Sequence, residues 1–288
     1  MRQILEKNIK NLLKKHKIYP SKRFGQNFLI DKKVLKKIIT AASLQPRDVV
    51  LEIGPGTGIL TKELAKKAKK VIAIEKDPEM VEILKEELKN FKNVKVIQTD
   101  ILKIKPKSYK LKPKTYKMVA NLPYYLTSPV LRKFLEAKSP PKEMILMVQK
   151  EVAQRIVAKP PNMNLLAISV QFYVRPVRNR RFSNGARPKI ISYVSKKSFW
   201  PQPKVDSAII KLVISDQRLA ISKNLFFKIV RAGFSQPRKQ IINNLAKGLK
   251  IDKEKIRNWL LKNKIRPQRR AETLTLKDWQ KLTKTFVF

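Results

Sequence analysis

Apolar positions along this chain follow two alternating rhythms. Val49-Val50-Leu51-Glu52-Ile53 is a short apolar run of the kind buried on both faces of a sheet. Gly54-Pro55-Gly56-Thr57-Gly58 follows, then Leu60, Leu64 and Ala68 at helical spacing. Val71-Ile72-Ala73-Ile74 repeats the strand pattern and ends at Glu75. Asp77-Pro78 is a cap followed by proline at the first helical position, which predicts a helix to about Phe91. Val94-Lys95-Val96-Ile97, Met118-Val119-Ala120 and Ile145-Leu146-Met147-Val148 predict three more strands; the first ends near Asp100 and the second at Asn121. Upstream, Asp31 can cap a helix whose apolar face is Val34, Leu35, Ile38 and Ile39. Strands alternating with helices at this spacing predict an α/β fold with a doubly wound parallel sheet covered on both faces.

After Ser169 the rhythm loosens. Ser207 to Ile214 reads as a late strand of the same sheet, and 215–222 as a polar linker. Four helical stretches follow, near 224–234, 237–248, 252–263 and 276–286, and Thr275 with Asp278 gives the last a start resembling a capping box. The expected organisation is a basic N-terminal extension over 1–20, a sheet domain over 21–215 and a small helical domain over 216–288. Within 1–18, Ile4, Leu5, Ile9, Leu12 and Leu13 fall roughly on one helical face.

Charge narrows the partners. The 288 residues hold 66 Lys and Arg against 21 Asp and Glu, a net charge of +45. Such a chain repels itself unless a polyanion screens it, which makes nucleic acid the first candidate partner. The acids are unevenly spread: nine of the 21 lie from Asp48 to Glu87, and none lies between Asp100 and Glu136 or between Glu151 and Asp206. With no cysteine and a single His16, thiolate metal sites, disulfides, cysteine nucleophiles and histidine triads are excluded, and no metal is expected. No run approaches the roughly 20 apolar residues of a membrane span. The N-terminus lacks a secretory apolar stretch, and its first helix is rich in lysine without serine, so a cytoplasmic location is expected.

Candidate chemistry sits at the strand ends, where doubly wound sheets bind ligands. Gly54-x-Gly56-x-Gly58 allows close backbone approach, but its spacing is not the dinucleotide pattern. Glu75, 21 residues after Gly54, stands where a carboxylate takes two ribose hydroxyls, and Asp100 can accept from an adenine amino group. Together these describe an S-adenosylmethionine pocket. Asn121-Leu122-Pro123-Tyr124 then ends the fourth strand. An amine conjugated to a purine is a poor nucleophile because its lone pair is delocalised. The Asn121 side-chain oxygen and the Leu122 carbonyl can accept its two N–H bonds and aim the lone pair at a methyl group, while Tyr124 stacks on the base. A sulfonium is already activated, so alignment and electrostatics suffice for rate.

These motifs resemble the ribosomal RNA adenine N6,N6-dimethyltransferase family over about residues 20–288. The resemblance includes Arg23-Phe24-Gly25-Gln26-Asn27-Phe28-Leu29, Leu51 to Gly58, Asn121 to Tyr124, Gln149-Lys150-Glu151-Val152 and Phe199 to Ala208. It continues through Pro237-Arg238-Lys239 with Asn244-Leu245 and through Arg270-Ala271-Glu272. It implies a Rossmann-like S-adenosylmethionine-dependent methyltransferase sheet with a C-terminal helical RNA-binding domain. It also implies dimethylation of two adjacent adenines in the 3′-terminal hairpin loop of small-subunit rRNA during ribosome biogenesis, by a monomer acting on the immature small subunit. By the same resemblance Asn27, Leu29, Gly54, Gly56, Glu75, Asp100 and Asn121 would hold the cofactor, and Phe199 would stack on the flipped adenine opposite Tyr124. Lys204, Arg238 and Lys239 are expected on RNA.

The chain departs from the family pattern at three places, which by the resemblance touch RNA-facing regions more than the methyl-transfer pocket. Asn162-Met163-Asn164-Leu165-Leu166 replaces a Lys-x-Tyr-Gly-like stretch, Pro237 replaces an arginine, and about twelve residues over 176–187 are inserted. Within the insertion Arg178, Arg180, Arg181 and Arg187 are candidates for rRNA backbone contact. Two other readings compete: a large-subunit rRNA adenine methylase of the antibiotic-resistance type, and a non-catalytic RNA-binding assembly factor. The first typically has isoleucine where this chain has Leu122. The second predicts decay at Gly54, Glu75 or Asn121, and all three are intact.

Overall fold

The computed structural model describes residues 2–174, 188–214 and 221–287. They divide into two compact units, Met1–Ala153 with Pro188–Ile214, and Gln154–Arg187 with Ser215–Phe288. The expected boundary near 215 is thus not the only one: residues 154–174 belong with the C-terminal helices.

The first unit opens with α1 (Arg2–Lys15), β1 (Phe28–Leu29) and α2 (Lys32–Ala42), followed by β2 (Val49–Ile53), α3 (Ile59–Ala65), β3 (Lys70–Glu75), α4 (Pro78–Glu87) and β4 (Val94–Gln98). Then come β5 (Tyr116–Asn121), α5 (Thr127–Leu135), β6 (Glu143–Gln149) and the start of α6 (Lys150–Val157). After 188 it adds β7 (Lys189–Val194), β8 (Phe199–Trp200) and β9 (Ser207–Val213). Seven strands form one sheet in the order β4-β3-β2-β5-β6-β9-β7. The first five are parallel, as the alternation requires, while β9 runs antiparallel to β6 and to β7. The sheet is therefore mixed: its parallel part is the one the alternation predicts, and the late strand β9 joins the same sheet in the antiparallel sense. The reason is local: β7 and β9 are joined by a connection that turns back at one sheet edge, and β9 starts beside the end of β6, where Lys150 N donates to Asp206 O at 2.9 Å.

Asp31 caps α2 by accepting from Lys33 N and Val34 N. The apolar face of α2 packs with Val50, Val119, Ile145 and Ile209 of the sheet. Helix α1 buries Ile9 and Leu13 against Phe28, Ile30, Met80 and Ile83, whereas Ile4 of its expected apolar face is 60% exposed. Strands β1 and β8 pair with each other, Leu29 opposite Phe199, and tie together segments 170 residues apart.

The second unit contains α7 (Leu165–Gln171), α8 (Lys223–Gly233), α9 (Ile241–Leu249), α10 (Lys253–Lys262) and α11 (Leu276–Lys284). The four C-terminal helices match the expected stretches, and Thr275 with Asp278 forms a full capping box. Ala167 and Ile168 of α7 share a core with Phe226, Ile229, Leu245 and Trp279, which explains why α7 groups with these helices. At Gly233 an added Cβ would lie 2.3 Å from Cη2 of the fully buried Trp279. Glycine to alanine in a helix ordinarily stabilises by about 0.5–1 kcal/mol, but here the overlap decides the sign. Gly233→Ala should destabilise by about 1–3 kcal/mol, the usual range for overpacking, in denaturant unfolding followed by tryptophan fluorescence. Wild-type stability would mean that Trp279 is free to shift. Among the described residues no helix is long and apolar enough to cross a membrane.

Candidate active site

The carboxyl ends of β2, β3 and β5 open onto one cleft. It is lined by Phe24 to Leu29, the turn from Gly54 to Thr57, Glu52, Glu75, Asn121 to Tyr124, and Phe199. Gly54 and Gly56 have φ of 63° and 56°, where side chains are strained. A Cβ on Gly56 would also press on the Phe28 ring at 3.2 Å. The bare turn lets Gly56 N donate to Glu75 Oε2 at 3.3 Å.

Glu75 is 8% exposed. Its Oε1 accepts from Lys76 N at 2.7 Å and Asp77 N at 3.0 Å, which fixes the carboxylate while leaving lone pairs for a ligand. Burial pushes its carboxyl above the ordinary range, and these backbone N–H bonds only partly oppose that. Asp77 caps α4 and accepts from Gln26 Nε2 at 2.6 Å, so the Arg23–Leu29 motif is fastened to the end of β3.

Glu52 lies in the Leu51–Gly58 motif, but the sequence gives it no role beyond a place in the strand. It is 1% exposed and lines the cleft. Burial pushes its carboxyl to about 8; the neighbouring Thr61 hydroxyl opposes this, and the charge of Glu75 adds to it. The opposition is weak because neither Thr61 Oγ1 nor Glu52 Oε2 completes a hydrogen bond. An acid protonated when folded and ionised when unfolded lowers stability as pH rises from its unfolded value toward its folded one. Between pH 5 and 8 the wild-type chain should therefore lose stability relative to Glu52→Gln, by about 1.4 kcal/mol for each pH unit over which the two states differ by a full proton. Parallel stability curves for the two proteins would show that Glu52 is ionised in the folded state.

Asn121 Nδ2 donates to Asn27 O at 3.3 Å. The opposite amide orientation would set two oxygens against each other, so Oδ1 is left as the acceptor in the cleft. Leu122 N donates to Met147 O at 3.2 Å, holding the next peptide in place. Tyr124 is half-buried, and its hydroxyl lies 2.9 Å from Ser207 Oγ, which fixes the ring. Phe199 is 4% exposed and belongs to the hydrophobic core with Leu29, Val34 and Ile209 while also lining the cleft. Asp31 supports this wall: it accepts from Ser198 Oγ at 3.1 Å and pairs with Arg2 at 2.6 Å.

The cleft thus gathers Asn27, Leu29, Gly54, Gly56, Glu75, Asn121, Leu122, Tyr124 and Phe199. Asp100 stands beside it and not in its wall. Its Oδ1 accepts from Leu102 N at 2.8 Å, and its Oδ2 pairs with Lys76 Nζ at 2.9 Å. Lys204 is exposed in the loop after β8, and Arg238 and Lys239 are exposed between α8 and α9 of the second unit. Arg178, Arg180, Arg181 and Arg187 lie outside the described residues. Gln26, Phe28, Glu52 and Pro123 line the cleft as well. All four sit inside motifs visible in the sequence, but only the fold shows that they line the cleft.

The family profile described as ribosomal RNA adenine dimethylase matches residues 19–287. Ribosomal RNA small subunit methyltransferase A of Dehalococcoides mccartyi is 46% identical over 275 residues, covering 95% of this chain and 90% of that protein. The protein of the same name from Clostridium botulinum is 42% identical over 280 residues, covering 96% of this chain and 97% of that protein. Among solved structures, a dimethyladenosine transferase from Plasmodium falciparum superposes with a TM-score of 0.72 at 29% identity, covering 88% of this chain and 95% of that one. The 23S rRNA methyltransferase ErmE does so with a TM-score of 0.71 at 26% identity, covering 90% and 98%. With its cleft at the carboxyl ends of the parallel strands and a profile spanning nearly its whole length, this chain belongs to the ribosomal RNA adenine dimethylase family.

Proposed function

We propose that this protein uses S-adenosylmethionine to dimethylate the N6 amines of two adjacent adenines in the 3′-terminal hairpin loop of small-subunit rRNA. Asn121 is the observation that carries this reading. Its amide nitrogen is engaged by Asn27 O, so its oxygen is committed to accepting. That suits the N–H of a planar, weakly nucleophilic amine.

When bound, S-adenosylmethionine supplies a methyl group on a sulfonium. The cleft residues fit it: the glycine turn admits it closely, Glu75 accepts its ribose hydroxyls, and Asn27 and Leu29 close one wall. Asp100 can receive the adenine amine if it shares its oxygens with Lys76. In the first transfer Asn121 Oδ1 and the Leu122 carbonyl hold the two N6 hydrogens of the target, turning the nitrogen lone pair out of conjugation; the N–C bond forms as the S–C bond breaks and one N6 proton leaves to water, and in the second transfer one of these acceptors holds the hydrogen that remains. Tyr124 and Phe199 sandwich the base. Their positions are set before the substrate arrives, by Ser207 and by the β1–β8 pairing, so little reorganisation accompanies methyl transfer.

The small subunit is favoured by the names of the bacterial relatives, by Leu122 and by the Arg270-Ala271-Glu272 ending. The cleft shared with ErmE does not separate the two ribosomal subunits as targets. The helical unit, with Arg238 and Lys239, binds RNA in this reading, and the protein acts as a cytoplasmic monomer on immature small subunits without a metal. Mass spectrometry of small-subunit rRNA from cells with and without the protein tests it. Two adjacent dimethyladenosines should vanish in its absence. Loss of a methyladenine from large-subunit rRNA instead would move the activity to the rival target.

A further inference from the structure

The connection between β4 and β5 crosses from the edge of the sheet over β3 and β2 to its centre. A doubly wound sheet ordinarily carries a helix on such a crossing. Here there is one short 3-10 turn, Pro106–Tyr109. Ile101, Ile104 and Leu111 are buried and pin the segment to the unit. Between and beyond these anchors Lys103, Lys105, Lys107, Lys110 and Lys112 are all exposed.

Along α1, α3 and α4 several surface lysines stand beside carboxylates: Lys10 with Glu6, Lys15 with Glu86, Lys62 with Glu87, Lys66 with Glu63 and Lys85 with Glu82, whereas the exposed Lys32, Lys33, Lys36 and Lys37 of α2 do not. Among the described residues none of the five from Lys103 to Lys112 has an ion-pair partner, although the charge of Lys103 is felt at Asp100, and the stretch between Asp100 and Glu136 holds no acid. Lys117, later in the same stretch, is of another kind. It is 5% exposed, 3.0 Å from Asp48 and 2.9 Å from Glu143. Five unpaired cations within ten residues repel one another, since the screening length is about 8 Å at physiological salt.

We propose that Lys103, Lys105, Lys107, Lys110 and Lys112 form a comb for the phosphates of an RNA strand lying outside the methyl-transfer cleft. The segment leaves the carboxyl edge of the sheet at Asp100, beside the cleft, and runs to the amino end of β5, away from it. The strand it holds is therefore rRNA beyond the target loop. A lipid surface does not fit, because Leu102 is the one large apolar side chain exposed on the segment and no apolar face accompanies the charges. This proposal rests on the reading of the protein as an rRNA methyltransferase.

The test compares wild-type protein with a variant carrying Lys→Gln at all five positions. A control variant carries Lys→Gln at Lys10, Lys15, Lys62, Lys66 and Lys85, with the same loss of charge. Binding is measured against salt for unmethylated small subunits and for the isolated 3′-terminal hairpin. Three to five phosphate contacts at about 0.7 each should make the slope of log affinity against log salt shallower by roughly 2–3.5 on subunits. The affinity there should fall at least tenfold at moderate salt, with hairpin binding and cofactor binding unchanged. The control variant should lose far less on subunits. Equal losses in the two variants, or a wild-type slope in the first, overturn the comb. As a second measurement, Lys107→p-benzoylphenylalanine should photo-crosslink to rRNA outside the hairpin, and an absence of RNA adducts counts against the comb. Methyl transfer by wild-type protein to the same subunits reports separately on the underlying reading: transfer with unchanged slopes retires the comb alone.

Discussion

Asn121→Ala should cut single-turnover methyl transfer to unmethylated small subunits by about a hundredfold or more. In the proposed reaction its oxygen acts on the target amine as the methyl moves, so its contribution would belong to the transition state and not to binding. Loss of one preorganised polar group of this kind typically lowers rate by about a hundred- to a thousandfold. In the same reading subunit affinity rests on many phosphates, so it should stay within twofold. Cofactor affinity should fall slightly, because the substitution also frees Asn27 O, which Asn121 Nδ2 now engages at 3.3 Å. Asn121→Asp keeps an acceptor but sets it against that carbonyl, so it should recover only part of the rate. Tyr124→Ala should slow the reaction through lost stacking, worth about 1–3 kcal/mol per base. Tyr124→Phe should be milder, losing only the Ser207 contact. If Asn121→Ala transfers methyl at a near wild-type rate, the tetrad is a structural turn and the amine is activated elsewhere.

Much of this arrangement is legible in the sequence, and the reason is physical. The strand runs, the Asp31, Asp77 and Thr275 caps and the glycine turn are each written in fewer than ten consecutive residues, and the elements form where those signals stand. What escapes a sequence reading depends on distant partners. The β1–β8 ribbon has two residues per strand, too short for any periodicity, and exists because Phe28 and Leu29 meet Trp200 and Phe199. The grouping of α7 with the C-terminal helices follows from a core assembled across the sequence. Glu52 reads as a polar interruption in a strand; its burial next to Glu75 is a consequence of which face β2 turns to the cleft. Asp100 stands at a strand end as the pattern predicts, but its engagement by Lys76 is a side-chain pairing that spacing does not encode.

Glu75→Ala should weaken S-adenosylmethionine binding roughly ten- to hundredfold by calorimetry and leave RNA affinity nearly unchanged. A hydrogen bond to a charged acceptor is worth about 1.5–3 kcal/mol, and each 1.4 kcal/mol is tenfold in affinity. The loss should exceed that of an exposed carboxylate because three backbone N–H groups, from Gly56, Lys76 and Asp77, already hold Glu75 in its accepting geometry. Alanine leaves all three facing an open cleft. Glu75→Gln should do little better, since its amide nitrogen would confront at least one of those donors. The wild-type protein carries its own control. Burial holds the Glu75 carboxyl above the ordinary range, so its proton returns at a higher pH than for an exposed glutamate. Once protonated, it can no longer accept from both ribose hydroxyls while keeping its backbone bonds. Cofactor affinity should therefore fall as pH drops through that raised value, and in Glu75→Ala this part of the dependence should disappear. An unchanged cofactor affinity in Glu75→Ala would take the ribose contact away from β3 and require another acceptor in the cleft, whose wall also holds the buried carboxyl of Glu52.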